Sequence, residues 1–212
     1  MSNKTEKLLA LLDGQPVVPV LKVAKASDAV PLARALARGG LRAIEITLRT
    51  AEALEAIRRV AGEVEDAIVG AGTILDAAQF EQAEKAGSKF IVSPGITREL
   101  LAIAAGSAVP LLPGAITPGE IMAAREAGLD FLKFFPAEQA GGAAFLKALA
   151  SPLSGIKFCP TGGVGPKNAL AYLSLPNVVC VGGSWIAPDD MVEGGRWDAI
   201  EALAKEASRL GR

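Results

Sequence analysis

The sequence predicts a (βα)8 TIM barrel, an α/β fold, with an extra N-terminal helix, and two observations support this prediction. First, short apolar runs typical of buried strands begin near residues 17, 43, 67, 90, 110, 131, 156 and 178, at spacings of 20 to 26 residues. Second, helical segments with start or stop signals alternate with these runs. Eight consecutive right-handed units close most simply into a barrel, so we expect residues 1–212 to form a single domain. A doubly wound open sheet is the alternative.

The predicted elements follow one another without a long linker or a low-complexity segment. The predicted strands span 17–23, 43–47, 67–70, 90–93, 110–113, a run that begins near 131, 156–160 and 178–181. The predicted helices span 5–12, 28–38, 51–60, 76–86, 97–106, 117–128, 142–150, 166–173 and 197–210. Five helix starts carry a capping residue: Ser27, Thr50, Asp76, Thr97 and Thr117, the last in a capping-box pattern with Glu120. The longest irregular stretch is 183–196.

Composition argues against several classes of function. The net charge is −1, with 22 Lys and Arg against 23 Asp and Glu, so no basic excess indicates a nucleic-acid partner. The apolar run 8–12 is too short for a signal or membrane segment, so we expect a cytoplasmic protein with no membrane contact. The absence of histidine argues against zinc sites and against serine–histidine or cysteine–histidine nucleophiles. Cys159 and Cys180 are expected to be buried structural thiols.

One lysine stands inside a strand that is otherwise apolar. The stretch 129–138 reads LDFLKFFPAE, with Lys133 among aromatic residues and a proline at the strand end. An ammonium group is disfavoured in such surroundings, so the neutral, nucleophilic amine that Schiff-base chemistry needs becomes accessible. Glu45 is the only carboxylate in a predicted strand core and is the natural partner for the proton transfers. A lysine extending from the strand end, or a purely structural salt bridge, is the alternative.

Two more polar residues are expected at the ends of the second and third strands. Arg49 follows the second strand, where its planar guanidinium can hold a substrate carboxylate in two parallel hydrogen bonds. A solvated surface arginine is the alternative. Thr73 ends the GAGT sequence after the third strand and is a candidate polar contact. This sequence does not match a dinucleotide-binding turn, because Leu75 stands where the third glycine would be.

Glycine-rich turns are predicted after the seventh and eighth strands. They contain Thr161, Gly162 and Gly163 in one loop and Gly182, Gly183 and Ser184 in the next. Adjacent loops at this position of a barrel commonly bind phosphate through backbone N–H groups that glycine leaves unobstructed. The two turns together therefore predict a phosphate site, with ordinary tight turns as the alternative.

Seven stretches fall in order at the expected strand ends and read IEITLRT, GAGTILD, FIVSPG, LLPG, FLKFFPAE, FCPTGG and VGGSW. Together they resemble the family of 2-keto-3-deoxy-6-phosphogluconate aldolase, also called 4-hydroxy-2-oxoglutarate aldolase. The resemblance spans almost the whole chain. It implies a class I aldolase, usually a homotrimer, that acts on a phosphorylated keto-acid substrate and needs no metal or organic cofactor.

The resemblance also implies roles for individual residues. Lys133 would form the Schiff base and Glu45 would transfer protons. The substrate would be bound by Arg49 and Thr73 at its carboxylate, by Pro94 and Pro113 along the pocket, and by Thr161, Gly162, Gly163 and Ser184 at its phosphate, with Gly182 and Gly183 beside them. The sequence departs from the family at Lys22, a position that is usually apolar there. We expect Lys22 to face the helices and to extend its ammonium group to solvent. The alternative is that Lys22 faces the barrel interior, where it would compete with Lys133 as the nucleophile.

The expected reaction is cleavage of 2-keto-3-deoxy-6-phosphogluconate to pyruvate and glyceraldehyde 3-phosphate, together with cleavage of 4-hydroxy-2-oxoglutarate to pyruvate and glyoxylate. An aldolase for the galactonate epimer of the first substrate is one alternative. A barrel epimerase or isomerase of sugar phosphates and a non-catalytic phospho-ligand binding protein are two others. A strand lysine with a single glutamate partner argues against the last two.

Overall fold

The computed structural model describes residues 3–211, in which strands and helices alternate. The strands are β1 (Val17–Leu21), β2 (Ala43–Thr47), β3 (Ile68–Gly72), β4 (Ile91–Val92), β5 (Leu111–Leu112), β6 (Phe131–Phe134), β7 (Lys157–Pro160) and β8 (Val181–Gly183). The helices are α1 (Asn3–Leu11), α2 (Ala26–Arg38), α3 (Ala53–Glu63), α4 (Ala77–Lys85), α5 (Arg98–Gly106), α6 (Pro118–Glu126), α7 (Gly142–Leu149), α8 (Ala169–Leu173), α9 (Asp189–Glu193) and α10 (Trp197–Ala207). Within this range, no helix combines the length and apolar character needed to cross a membrane.

The strands pair in parallel, in two groups. Six of them form one sheet in the order β5-β4-β3-β2-β1-β8, and β6 pairs with β7. Isolated bridges connect the two groups at both edges. Gly114, just after β5, pairs with Lys133 of β6, and Phe158 of β7 pairs with Val178, just before β8. Because the pairs are parallel, the carboxyl ends of the strands point the same way.

Side chains alternate between two apolar clusters, as the period of two along a strand requires. The larger, outer cluster packs one face of the strands against the helices and includes Leu21, Ile44 and Leu132. The inner cluster lies on the opposite strand face and comprises Leu8, Leu12, Val18, Ala43, Phe90, Val92, Leu112, Phe131, Cys159 and Cys180. Its members from β1, β2 and β6 lie at the amino-terminal part of their strands. Leu8 and Leu12 of the N-terminal segment therefore cover the amino ends of the strands, which together we call the strand layer. The carboxyl ends of the strands are not covered in this way and can carry polar side chains.

Both cysteines belong to the inner cluster and are free and buried, as the sequence predicts. The hydrogen bond to Cys159 and, to a smaller extent, burial raise the pKa of the Cys180 thiol. The two thiols therefore act as small apolar side chains in the core.

Three of the predicted helix caps are confirmed. Asp76 and Thr97 each accept a hydrogen bond from the backbone N–H three residues on, at 2.8 and 3.1 Å. Thr117 and Glu120 form the complete capping box at the start of α6. The Glu120 N–H donates to Oγ1 of Thr117 at 3.3 Å, and the Thr117 N–H donates to Oε2 of Glu120 at 2.8 Å. These starts depend on local sequence alone, which is why the sequence predicts them.

Two predicted caps are wrong. Ser27 lies inside the first turn of α2, which begins at Ala26, and its hydroxyl donates to Oδ1 of Asp28 at 3.3 Å. Thr50 does not cap α3, because its hydroxyl donates to the backbone carbonyl of Val23 at 2.6 Å. The second contact joins segments that are far apart in sequence, so no local pattern indicates it.

The largest differences in element bounds lie in the last third of the chain. β8 spans Val181–Gly183 and not 178–181, and α8 begins at Ala169 and not at residue 166. The stretch 183–196, predicted to be irregular, contains the short helix α9. The last residues of β8 are therefore the glycines that the sequence places in a turn.

Candidate active site

A cavity of about 800 Å³ opens at the carboxyl ends of the strands. Its wall includes Thr47 and Gly183, the last residues of β2 and β8. Eleven of the twelve residues singled out in the sequence line this cavity, namely Glu45, Arg49, Thr73, Pro94, Lys133, Thr161, Gly162, Gly163, Gly182, Gly183 and Ser184. With Val20 and Lys22 from the first unit, seven of the eight strands and the loops that follow them contribute to this one cavity.

Lys133 and Glu45 form a buried ion pair that lines the cavity. Nζ of Lys133 donates to Oε1 of Glu45 at 3.3 Å, and the two side chains are only 7% and 4% exposed. Both point inward because each follows, by two residues, a member of the inner cluster, Phe131 in β6 and Ala43 in β2. A buried charge needs a partner for any purpose. A purely structural ion pair does not need to face a cavity, whereas Lys133 and Glu45 both do.

Gly72 provides the space that the carboxylate occupies. A Cβ atom at this position would lie 2.0 Å from Oε1 of Glu45, so a larger residue does not fit without displacing the carboxylate. Gly72 stands opposite Thr47 in the β2–β3 register, at the cavity end of both strands. One of the glycines in GAGT therefore has a steric function beside the ion pair.

Aromatic packing also restricts the lysine. Nζ of Lys133 lies 5.2 Å from the centroid of the Phe135 ring, within the range of a cation–π contact. The Lys133 N–H donates to the carbonyl of Pro113 at 2.8 Å, and the Lys133 carbonyl accepts from Ala115 at 2.9 Å. These contacts hold both the backbone and the side chain of the lysine.

Arg49 is held at the cavity by a threonine of β2. Nε of Arg49 donates to Oγ1 of Thr47 at 2.9 Å, and the Thr47 hydroxyl donates to the carbonyl of Leu21 at 2.8 Å. Within residues 3–211, no carboxylate forms an ion pair with Arg49. The terminal nitrogens of the guanidinium group are therefore available to an anionic ligand.

Thr73 adopts a backbone conformation that threonine rarely has. Its φ of 60° lies in the left-handed region, which costs a β-branched residue about 1–3 kcal/mol. Such strain concentrates at functional sites. Thr73 directly follows Gly72 and lines the cavity, so the strained residue lies beside the ion pair and not in an ordinary surface turn.

The loop after β7 is supported by side chains on the elements around it. Gly162 and Gly163 have φ values of 97° and 76°, which glycine adopts at no steric cost. A Cβ atom on Gly163 would lie 2.6 Å from the side chain of Glu138. Glu138 donates its N–H to the Gly162 carbonyl at 3.2 Å, and Nδ2 of Asn168 donates to the Gly163 carbonyl at 3.0 Å. These hydrogen bonds direct the carbonyl groups of Gly162 and Gly163 toward Glu138 and Asn168.

The Glu138 carboxylate is in turn fixed by Tyr172 of α8, whose hydroxyl donates to Oε1 of Glu138. Burial, and the adjacent Glu138, raise the pKa of Tyr172, so its hydroxyl stays protonated as a donor. The backbone N–H groups of Gly163 and Ser184 donate to no other group in the described part of the chain. These free donors suit an anion.

The structure corrects the predicted turn at Gly182 and Gly183. Both glycines belong to β8 and pair with Val18 and Pro19 of β1. A Cβ atom on Gly182 would lie 2.3 Å from Oγ1 of Thr161, and one on Gly183 would overlap the ring of Trp185. These glycines are therefore required by close side-chain packing and not by a turn. Of Gly182, Gly183 and Ser184, only Ser184 follows the strand, and this residue is exposed.

Four further charged residues line the cavity, namely Lys22, Arg49, Asp189 and Asp190. Asp190 is paired with Arg196. Across residues 3–211, no group of three or more cysteine, aspartate or glutamate side chains is arranged to hold a metal ion.

The sequence matches one family model, described as "Aldolase: KDPG and KHG aldolase", over residues 9–203. The chain belongs to the KDPG and KHG aldolase family. KDPG is 2-keto-3-deoxy-6-phosphogluconate and KHG is 4-hydroxy-2-oxoglutarate. The match covers the strands and loops that form the cavity.

Individual members of the family are similar to this chain over nearly its whole length. The KHG/KDPG aldolase of Escherichia coli strain K12 is 48% identical over 207 residues, which cover 98% of this chain and 97% of that one. The KDPG aldolase from Legionella pneumophila, with pyruvate captured at low pH as a covalent carbinolamine intermediate, has a TM-score of 0.91 at 42% identity, covering 93% of this chain and 96% of that one. The enzyme of Zymomonas mobilis ZM4 with 3-phosphoglycerate has a TM-score of 0.92 at 45% identity, covering 98% of both chains.

Pro113 and Lys22 lie elsewhere than the sequence predicts. Pro113 does not line the cavity; it contributes its carbonyl to the Lys133 N–H. Lys22 does not face the helices but lines the cavity. The alternation along β1 is the reason. Leu21 packs in the outer cluster, so the following residue points to the opposite face.

Nine residues that line the cavity are not predicted from the sequence as part of the site. They are Val20, Lys22, Thr47, Phe135, Val164, Ala187, Pro188, Asp189 and Asp190. Thr47 has a signal that could have revealed it, because it lies two residues after Glu45 on the same strand face. Asp189 and Asp190 begin the unpredicted helix α9 and have no such signal.

Proposed function

We propose that this chain is a class I aldolase that cleaves KDPG to pyruvate and glyceraldehyde 3-phosphate, and also cleaves 4-hydroxy-2-oxoglutarate to pyruvate and glyoxylate. The observation that carries the proposal is the buried pair of Lys133 and Glu45 on the wall of a cavity with further free anion-binding groups. The aldolase names of relatives that match almost the whole chain support it.

Schiff-base formation begins with the transfer of a proton from the Lys133 ammonium group to the Glu45 carboxylate, 3.3 Å away. The neutral amine attacks C2 of the keto acid and forms a carbinolamine. Glu45 then returns a proton to the C2 hydroxyl, directly or through water, so that water leaves and an iminium group remains. Overall, a carbon–nitrogen double bond replaces the carbon–oxygen double bond of the ketone, and one water molecule is released.

Cleavage uses the iminium group as an electron acceptor. Glu45, or a water molecule that it holds, removes the proton of the C4 hydroxyl as the C3–C4 bond breaks. The bonding electrons move into the C2–C3 enamine, and the aldehyde leaves. Protonation of the enamine at C3 and hydrolysis of the new iminium group release pyruvate and restore Lys133. Each proton is moved by Glu45 or water, and no step requires a metal or an organic cofactor.

The remaining residues bind the two ends of the substrate. We assign Arg49 and Thr73 to the carboxylate beside the ketone, because the terminal nitrogens of the guanidinium group have no carboxylate partner in the described part of the chain. Pro94 forms part of the pocket wall, and Pro113 acts through its hydrogen bond to the Lys133 backbone. The phosphate is assigned to Thr161, Gly162, Gly163 and Ser184, with Gly182 and Gly183 beneath them.

We also propose that the strands close into a complete (βα)8 barrel and that residues 1–212 form one domain. The bridges at both edges of the six-stranded sheet support closure.

A homotrimer in the cytoplasm is proposed from the family resemblance and the composition. Sedimentation equilibrium should give three times the chain mass of 21.7 kDa. A mass of one or two chains would refute the trimer.

Borohydride reduction with pyruvate tests the proposed chemistry. The reduction should trap a stable pyruvyl adduct on Lys133, which peptide mass mapping locates. Lys22 and Lys157 serve as internal controls, because neither is paired with a buried carboxylate; Nζ of Lys157 donates to the carbonyl of Pro176 at 2.9 Å. Labelling of either control, or no labelling, would refute the assignment of Lys133.

A further inference from the structure

Lys22 lies on the wall of the cavity, one residue beyond β1. Along β1, Val18 packs in the inner cluster, whereas Val17 and Leu21 pack in the outer cluster. Lys22 continues the inward series of Val18 and Val20, and both Val20 and Lys22 line the cavity. The ammonium group therefore belongs to the same space as the proposed catalytic pair.

The strands on either side of β1 carry opposite ends of the proposed substrate site. β2 ends at Thr47, which holds Arg49, and β8 ends at Gly183, directly before Ser184. β1 pairs with both strands. Lys22 thus follows the strand that separates the site proposed for the carboxylate from the site proposed for the phosphate.

Lys22 has no partner of its own. Its side chain is exposed, and within residues 3–211 it forms neither a hydrogen bond nor an ion pair. Lys133 on the same cavity is paired with Glu45. Lys22 and Arg49 are therefore two cations on one cavity wall that are available to anionic groups of a ligand.

The acidic residues of the cavity make this second cation important. Asp190 is paired with Arg196, but Asp189 has no ion-pair partner in the described part of the chain and repels an anionic ligand. Lys22 supplies an opposing charge on the same wall. Its flexible four-carbon stem carries a compact charge that suits a phosphate or a carboxylate equally.

We propose that Lys22 binds the anionic group at the far end of the substrate and so favours substrates with a charged tail. This inference rests on the proposed function, in which Arg49 binds the carboxylate beside the ketone. Each proposed substrate has a second anion, the C6 phosphate of KDPG or the C5 carboxylate of 4-hydroxy-2-oxoglutarate. Two anions on the substrate thus correspond to two free cations in the cavity.

The test compares Lys22→Met and Lys22→Arg on three substrates. Two are the proposed substrates, and the third is 4-hydroxy-2-oxopentanoate, which has an uncharged tail. Lys22→Met should lower kcat/KM about 3- to 10-fold on either or both charged-tail substrates, through KM and not kcat, as expected for an exposed charge pair with a multivalent anion. The loss should shrink at high ionic strength. Lys22→Arg should retain the wild-type values.

Lys25→Met is the matched control, because Lys25 is exposed in the same segment but does not line the cavity. It should match wild type on all three substrates. A loss confined to one charged tail identifies the phosphate or the carboxylate as the ligand of Lys22. An equal loss on all three substrates, or no loss on any, overturns the proposal.

Pyruvate trapping by borohydride separates this proposal from the proposed function. Lys22→Met should still form the adduct on Lys133, which shows that the variant is folded and that the site is intact. Wild-type protein that forms no adduct refutes the aldolase itself. Wild-type protein that is active, with a Lys22→Met variant that is equally active on charged tails, refutes only the role of Lys22.

Discussion

Glu45 depends on a neighbour that has no side chain. The carboxylate occupies the space where a Cβ atom on Gly72 would lie, and Lys133 approaches it from the opposite part of the strand layer. A glutamate with the same local sequence but a larger residue at position 72 could not hold this position. At the scale of single residues, the site therefore depends on steric space as much as on charge.

Glu45→Gln should lower kcat on the order of 10²–10⁴-fold, the usual contribution of a positioned acid–base group. Glutamine has nearly the same shape and still accepts a hydrogen bond, so we expect the fold to persist, which circular dichroism checks. Glu126→Gln, an exposed glutamate away from the cavity, is the control. Turnover within a factor of two of wild type would show that the ion pair is only structural.

Ser184→Ala should reduce kcat/KM for KDPG about 10- to 100-fold, because a hydrogen bond to a charged group contributes about 1.5–3 kcal/mol. Activity on 4-hydroxy-2-oxoglutarate should hardly change, because this substrate has no phosphate. Arg49→Ala should impair both substrates by removing a contact with their shared carboxylate. Steady-state kinetics of both variants on both substrates measure these losses in kcat/KM. Equal losses for Ser184→Ala on the two substrates would place the phosphate elsewhere.

Helix starts show how local and tertiary contacts compete at the scale of elements. Thr117 and Thr50 both precede a helix, yet only Thr117 caps one. Thr50 donates to a carbonyl beyond β1 instead. Its contact ties two loops at the carboxyl ends of neighbouring strands, where the cavity lies. Threonine therefore stabilises a helix start at position 117 and the loops near the cavity at position 50.

Thr117→Ala should destabilise the protein by about 1 kcal/mol, the usual contribution of an N-cap. For a chain of this size that corresponds to roughly 2–4 °C in Tm. Ser27→Ala is the matched control, because Ser27 resembles a cap in sequence but makes no capping hydrogen bond. Its Tm should stay near that of wild type. Thermal unfolding followed by circular dichroism checks both, and equal shifts would contradict the distinction.

The capping box also predicts a pH dependence. Backbone N–H groups of Thr117 and Ile116 lower the pKa of Glu120 below its usual range. The contribution of this carboxylate is therefore present at neutral pH and is lost as pH falls through the lowered pKa. Because Glu120 is largely exposed, the effect should be small, and it should appear as a difference between wild type and Glu120→Gln that disappears in acid.

At the scale of the whole molecule, the two ends of the strand layer have different functions. Leu8 and Leu12 pack into the inner cluster at the amino end. The charged and polar residues lie at the carboxyl end, around the cavity. The packed interior between them supports the buried pair of Lys133 and Glu45, so we expect changes at the amino end to affect stability and changes at the carboxyl end to affect activity.

Leu8→Ala should destabilise the protein by about 2–5 kcal/mol, because Leu8 is 1% exposed and its removal leaves a cavity in the inner cluster. Below the unfolding temperature, kcat should remain at the wild-type value. Leu75→Ala, at a leucine that is 56% exposed, is the control and should change neither property. Urea unfolding and steady-state kinetics check both variants. A large fall in kcat for Leu8→Ala at low temperature would contradict the separation of the two ends.

The sequence alone determines that eight strands follow one another along the chain. It also determines three of the helix caps and the presence of polar residues at the carboxyl ends of the strands. These features depend on periodicity and on interactions between residues a few positions apart. Lys133 and Glu45 are also evident from the sequence, because a charged residue in an apolar strand needs a partner and only one carboxylate is available in a strand core.

Only the tertiary structure decides the features that depend on residues far apart in the chain. Gly182 and Gly183 belong to β8 because they pair with β1, and only glycine fits there because Thr161 and Trp185 occupy the space that a Cβ atom would need. Thr50 bonds to Val23 and not to its own helix. Lys22 lines the cavity because β1 is held in register between β2 and β8, which sets the face of every residue that follows. A local pattern does not contain these contacts, since each one forms between segments that folding brings together.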